Sequence, residues 1–167
     1  GLEINFRRIR NNPAIQVLTQ ARVEQVSGSP GAYDATIVIE PRYVTDACTL
    51  CDKCAQVCPA ERPDDFNLGL STTKAAYLPH RLAIPAAYAI DRAACGAGCT
   101  ACRDACEYGA INLDQRTERR TVRVSAVVAA TGWAPYDAAK IDNLGFGRFP
   151  NVVTNVMVER FAAPDGP

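Results

Sequence analysis

Cys48-Thr-Leu-Cys51-Asp-Lys-Cys54-Ala-Gln-Val-Cys58-Pro59 is the stretch on which the reading of this chain turns. Its spacing, C-x2-C-x2-C-x3-C-P, puts three thiolates on one tight loop and a fourth a short turn further on. That pattern suits three iron corners of one cubane iron-sulfur cluster, with the fourth cysteine carried away toward a second cluster. One such run therefore implies another. Cys95, Cys99, Cys102 and Cys106 supply it as C-x3-C-x2-C-x3-C, and the two runs use all eight cysteines of the chain.

Two plainer readings compete. Zinc sites pair two C-x2-C knuckles around one metal, so two four-cysteine runs could hold two zincs in a docking module; three cysteines at successive x2 steps and a terminal Cys-Pro fit cubanes better. Disulfides are the other alternative, but the first residues carry no secretory pattern, and clustered C-x2-C spacings in an intracellular chain point to metal. The expected setting is reducing and cytoplasmic. Eighteen basic residues balance eighteen acidic ones, which gives no long-range field to attract nucleic acid or an anionic membrane. No apolar run approaches the roughly 20 residues that span a bilayer. The chain opens on Gly1, as a piece excised from a longer polypeptide would.

Outward from the cysteines, alternating apolar residues predict strands. Ile15–Leu18, Ala21–Val26 and Tyr33–Ile39 flank a Ser-Gly-Ser-Pro-Gly turn at 27–31, which makes a strand-turn-strand unit. Arg42-Tyr43-Val44 leads into the first cysteine run as Tyr88-Ala-Ile90-Asp91 leads into the second, and Ala110–Leu113 reads as a return strand. The 36 residues between Cys58 and Cys95 are too long for a compact hairpin and too apolar for a free linker. They include His80, the only histidine, and are expected to pack over the first cluster or on a neighbouring domain. Arg120–Ala130 reads as a strand passing from a sheet edge into a buried parallel position. The charged knot of Arg116, Glu118, Arg119, Arg120 and Arg123 reads as a solvated strand edge. Val152–Phe161 reads as a terminal helix capped by Thr154 or Asn155.

The strand ending in Ala130-Thr131-Gly132 resembles the Ala-Thr-Gly signature of two-dinucleotide-binding flavoproteins. Together with the dicluster runs, Gly69-Leu70-Ser71, Lys74–Pro79, Ile84-Pro85, Tyr88–Asp91 and Pro150–Thr154, it makes the chain from about residue 13 onward resemble the A-type subunit of heterodisulfide reductase. The resemblance implies an α+β architecture in which a bacterial dicluster ferredoxin-like domain is inserted between β-strand segments of an incomplete thioredoxin-reductase-like flavin domain. On that plan residues 1–40 are a flanking β segment, 41–115 hold two 4Fe-4S clusters, and 116–167 return to the flavin domain. Cys48, Cys51, Cys54 and Cys106 would hold cluster one, and Cys95, Cys99, Cys102 and Cys58 cluster two. Ala130, Thr131 and Gly132 would approach FAD in the complete protein.

The implied function is a relay of single electrons between FAD and partner iron-sulfur subunits of heterodisulfide-reductase, hydrogenase or dehydrogenase type, with ferredoxin as a further partner. A stand-alone dicluster ferredoxin is the alternative, although it would need no flanking strands. No bond-making step is expected of the chain itself. It departs from the family pattern in three places. No G-x-G-x-x-G loop is present to cradle a flavin pyrophosphate; Cys95-Gly-Ala-Gly-Cys99 is short; and Glu107 stands where proline usually follows the last cysteine. Glu107, beside Cys106 in an otherwise apolar setting, is expected to make cluster one harder to reduce.

Overall fold

The computed structural model describes residues 2–164 and 166–167 and divides into two compact units. The first combines the chain up to Glu61 with Lys74–Val127; the second combines Arg62–Thr73 with Val128–Pro167. The architecture is mixed α and β with antiparallel sheets.

In the first unit a short helix α1 (Leu2–Arg10), left unassigned by sequence, precedes β1 (Ala21–Ser29) and β2 (Ala32–Ile39). These two strands pair antiparallel across Pro30-Gly31, with a bulge between Val23 and Gln25. Ile15–Leu18, expected as strand, forms no regular element. Gly28 makes the tight hairpin feasible: it sits at φ 105°, and a Cβ there would collide with the Ala32 carbonyl oxygen.

After the whole cysteine region the chain returns as β7 (Glu118–Val124) and pairs antiparallel with β2, from Ile39↔Glu118 to Tyr33↔Val124. The order is therefore β1-β2-β7, with the segments before and after the cysteines in one sheet. Its centre is β2, where Ala35 and Val38 are buried. The Thr36 and Thr121 hydroxyls meet across the strands at 3.2 Å. Arg119 reaches over to Glu24 with two hydrogen bonds, at 3.1 and 2.9 Å, and Arg120 pairs with Glu118, so these members of the charged knot lie on a solvated strand. The expected buried parallel extension to Ala130 is not found. β7 ends at Val124 because its partner turns back there, the Gly31 N–H donating to the Ser125 carbonyl, and Ala126–Ala130 are exposed without regular structure.

The cysteine region is built from short pieces. Val44 forms an antiparallel bridge with Ile111, flanked by Thr45 N–H to the Ala110 carbonyl and Asn112 N–H to the Tyr43 carbonyl. Two one-turn helices, α2 (Lys53–Gln56) and α3 (Ala101–Asp104), occupy equivalent places in the two cysteine runs and pack on each other. The insert between the runs holds a hairpin of β3 (Glu61–Pro63) and β4 (Thr72–Lys74), then β5 (Ala76–Tyr77) paired with β6 (Ala89–Ile90). Ala75, Ala76, Ala87, Tyr88 and Ile90 from these pieces form one core with Val44, Ile111 and three of the cysteines.

In the second unit α4 (Asn155–Phe161) starts at Thr154, whose hydroxyl accepts from the Met157 N–H. Arg160 donates twice to the buried Asn67 side-chain oxygen, at 2.9 and 2.8 Å, and lies over the Phe66 ring. The tip of the insert thus belongs to the same body as the terminal helix.

Replacing Gly28 by Ala imposes both a left-handed backbone strain and a collision with backbone, and should cost about 1–3 kcal/mol. At Gly31, also at positive φ, a Cβ meets nothing within 4 Å, so Gly31→Ala should cost less. Thermal unfolding followed by circular dichroism checks the order, since each kcal/mol moves the midpoint by about 2–4 °C in a chain of this size.

Candidate metal centre

The first cysteine loop curls because Leu50 and Asp52 adopt left-handed backbone conformations, φ 59° and 66°, which cost energy for non-glycine residues. Gly98 at φ 72° bends the second loop in the same sense with less strain. In each run the third cysteine, Cys54 or Cys102, is buried within its one-turn helix, and the fourth follows just beyond it.

Cys106 of the second run meets the first run: Cys48, Cys51, Cys54 and Cys106 together line one apolar cavity, walled also by Val44, Ile111, Ala110 and Tyr88. Cys58 acts electrostatically on Cys95 and Cys102 of the second run. All eight cysteines are free thiols. Among the described residues no three His, Cys, Asp or Glu side chains converge as closely as a single bound ion needs. Four soft sulfur donors around one apolar cavity are the donor set that an iron-sulfur cluster uses.

Burial dominates the electrostatics of Cys54, Cys95 and Cys102. It pushes Cys54 up to about 12, with the neighbouring Cys48, Cys102 and Cys51 adding to the rise. Burial is also the largest cause of the upward shifts at Cys95 and Cys102. A buried thiol becomes a thiolate only when cationic metal compensates it, which couples loading to deprotonation. At Cys106 the Ala110 N–H donates to the sulfur at 3.4 Å, the kind of backbone contact that stabilises a ligating thiolate.

Around the first cavity, Lys53 from one run pairs with Glu107 from the other. Glu107 raises Lys53 through that hydrogen bond. The apolar setting expected for Glu107 is therefore absent: its carboxylate is exposed and neutralised by a partner, which removes most of its expected pull on a neighbouring cluster. Sequence reasoning passes over Tyr88, which is buried, lines the cavity and donates its hydroxyl to Asp52 at 2.5 Å. It also passes over Arg92, whose guanidinium donates to the Cys99 carbonyl at 3.0 Å; its place three residues before Cys95 was the available signal. His80 is not among the residues lining the cavity, and its Nδ1 accepts from the Leu82 N–H at 3.2 Å. Ala130, Thr131 and Gly132 lie exposed in the irregular stretch of the second unit.

Tyr88→Phe removes a hydrogen bond to a charged group and should cost about 1.5 kcal/mol. Lys53→Ala removes only an exposed, solvent-screened ion pair and should cost less. Thermal unfolding of both variants checks the ranking.

No family model matches the chain. It is 40% identical over 160 residues to the A-type iron-sulfur subunit of CoB–CoM heterodisulfide reductase from Methanocaldococcus jannaschii, covering 95% of this chain and 24% of that protein. It is 41% identical over 162 residues to the A-type iron-sulfur subunit numbered 1 of the same enzyme in Methanopyrus kandleri, covering 96% and 24%. It is 39% identical over 158 residues to the A-type subunit of the H2/formate:CoB–CoM heterodisulfide, ferredoxin reductase from Methanococcus maripaludis, covering 94% and 24%. The chain thus spans about a quarter of the length of these relatives. With such identity sustained along nearly all of its residues, the chain is similar to one portion of the longer A-type subunits of heterodisulfide reductases.

Proposed function

We propose that this chain is the electron-transfer region of a heterodisulfide-reductase-A-like flavoprotein, in which two 4Fe-4S clusters relay single electrons between FAD and partner iron-sulfur subunits. The observation that supports the reading is that Cys106 of the second run lines one cavity with Cys48, Cys51 and Cys54 of the first. Cluster one is assigned to Cys48, Cys51, Cys54 and Cys106, and cluster two to Cys95, Cys99, Cys102 and Cys58. Residues 41–115 would form the dicluster ferredoxin-like domain, inserted between flavin-domain segments 1–40 and 116–167.

When bound, each cluster supplies a site that takes up and releases one electron. The chain's own residues do the rest. Short loops fix the sulfurs, and the packing of α2 on α3 holds the two groups close in one unit. The apolar walls formed by Val44, Ile111 and Tyr88 shield the inner side of the first sulfur set, with Cys54 buried and Cys51 exposed. Rigid apolar walls of this kind would keep the reorganisation that accompanies electron transfer small.

Ala130-Thr131-Gly132 would contact the flavin only in the complete protein. This chain's residues do not make a flavin site by themselves: α4 begins at a threonine cap without a glycine-rich phosphate loop. Partner subunits of heterodisulfide-reductase, hydrogenase or dehydrogenase type, or ferredoxin, would exchange electrons with the clusters in the cytoplasm. The printed name of the M. maripaludis relative, with H2, formate and ferredoxin in it, favours that set. Among the described residues no helix is long and apolar enough to cross a membrane.

Anaerobically purified chain should contain about eight irons and eight sulfides, and dithionite should elicit the EPR signal of two spin-coupled cubanes. Zinc without sulfide would replace the relay with a docking module. The crossed ligand assignment has its own test. In the Cys95→Ala/Cys99→Ala background about four irons should remain; adding Cys58→Ala should leave them, and adding Cys106→Ala should remove them. The reverse outcome would assign each run wholly to its own cluster. The same preparation should carry no stoichiometric FAD, and a full complement of flavin in its absorption spectrum would overturn that expectation.

A further inference from the structure

The charges around the two sulfur groups are not equivalent. Most of them cancel in pairs: Lys53 with Glu107, Arg42 with Asp46, Lys74 with Glu61, and Arg103 with Asp104. Asp52, Asp91 and Arg92 also lie beside the ligands. At the first group this is Asp52, set between Cys51 and Cys54, its carboxylate fixed by the Tyr88 hydroxyl at 2.5 Å and touched by the Gln56 amide at 3.3 Å. Neither partner is a cation, so the negative charge stands.

At the second group the pair is Asp91 and Arg92. The Asp91 carboxylate turns back on its own loop and accepts from the Ala93 and Ala94 N–H groups, at 3.0 and 3.3 Å. The half-buried Arg92 guanidinium is held by the Cys99 carbonyl, four residues along the chain from Cys95. Burial raises the Cys95 thiol, and Arg92 is the cationic side chain that opposes the rise. Even with Asp91 set fully against Arg92, the first group carries one more negative charge than the second. Reduction adds an electron, so it is disfavoured beside a fixed anion and favoured beside a fixed cation.

We propose that Arg92 and Asp52 set the order of the two clusters, Arg92 making the cluster of Cys95, Cys99, Cys102 and Cys58 the easier to reduce and Asp52 making the other the harder. The proposal rests on the two-cluster reading above. An electron delivered to cluster one then passes downhill to cluster two and stays there until a partner removes it, which gives the relay a direction built from two side chains.

EPR-monitored redox titration of the full chain, with iron and sulfide counted in every sample, tests this. The protein should reduce in two separate one-electron steps. Arg92→Gln should lower the upper step by about 59 mV or more, the equivalent of a tenfold change in the reduced-to-oxidised ratio, and Arg92→Lys, which keeps the charge, should restore most of it. Asp52→Asn should raise the lower step by a similar amount; asparagine tolerates the left-handed backbone at this position, and its amide oxygen still accepts from Tyr88. Should Arg92→Gln lose iron, Asp52→Asn decides by itself. Full iron content with unmoved steps, or with Arg92→Gln moving the lower step, overturns the ordering and leaves the two-cluster reading intact. Fewer than about eight irons in the unsubstituted chain overturns both.

Discussion

Cys106 shares one apolar cavity with Cys48, Cys51 and Cys54 of the other run, and the local structure is organised around that meeting. For Cys106 to reach that run, the short turns of the two runs must lie side by side. This is how α2 and α3 pack. The chain before the first run must also meet the chain after the second, which the bridge between Val44 and Ile111 accomplishes. Burial follows from the same meeting and costs the thiols their ready ionisation, to about 12 at Cys54. Without a cationic partner the arrangement gains little from those sulfurs. With one, ligation and folding reinforce each other.

The sheet solves a different problem, how to insert a long segment without losing the frame around it. β2 leaves the sheet at Ile39 and β7 re-enters at Glu118, and these two residues are paired neighbours. A segment that departs and returns at one place can be long, because the entropic cost of closing it grows only slowly with length. The register is held by the Thr36–Thr121 hydroxyl contact and by Arg119 reaching Glu24. Val38, on the same face as Thr36, and Ala35, on the opposite face, are the buried anchors of β2.

Charge placement follows a division of labour. Ion pairs such as Lys53–Glu107 join the two cysteine runs without leaving net charge at the sulfurs. Asp52 and Arg92 are placed otherwise, each held by a neutral hydrogen-bonding partner and each adjacent to a different sulfur group. The neutral partners fix the position of the charge without cancelling it. Arg92 is half-buried and so less screened by solvent than Asp52, which is exposed.

The eight cysteines, their spacing, the hairpin around Pro30-Gly31 and the Thr154-capped helix were legible in the sequence, because each depends on residue type at short separation: thiols on a loop, a turn dipeptide, a hydroxyl beside free N–H groups. The pairing of β2 with β7 was legible only as two runs of alternating residues in need of a partner. Three things were not legible. The small apolar run Ala126–Ala130 reads as buried strand by composition, yet β7 stops before it because the partner strand has already turned away. Glu107 reads as an isolated carboxylate, yet it meets Lys53 across 54 residues of sequence. Tyr88 and Arg92 read as strand and flank, yet they reach the sulfur groups. Sequence determined which atoms are available as ligands, because spacing on a short loop is local; tertiary structure decided which charges stand beside them uncancelled, because that depends on contacts between segments far apart in the chain.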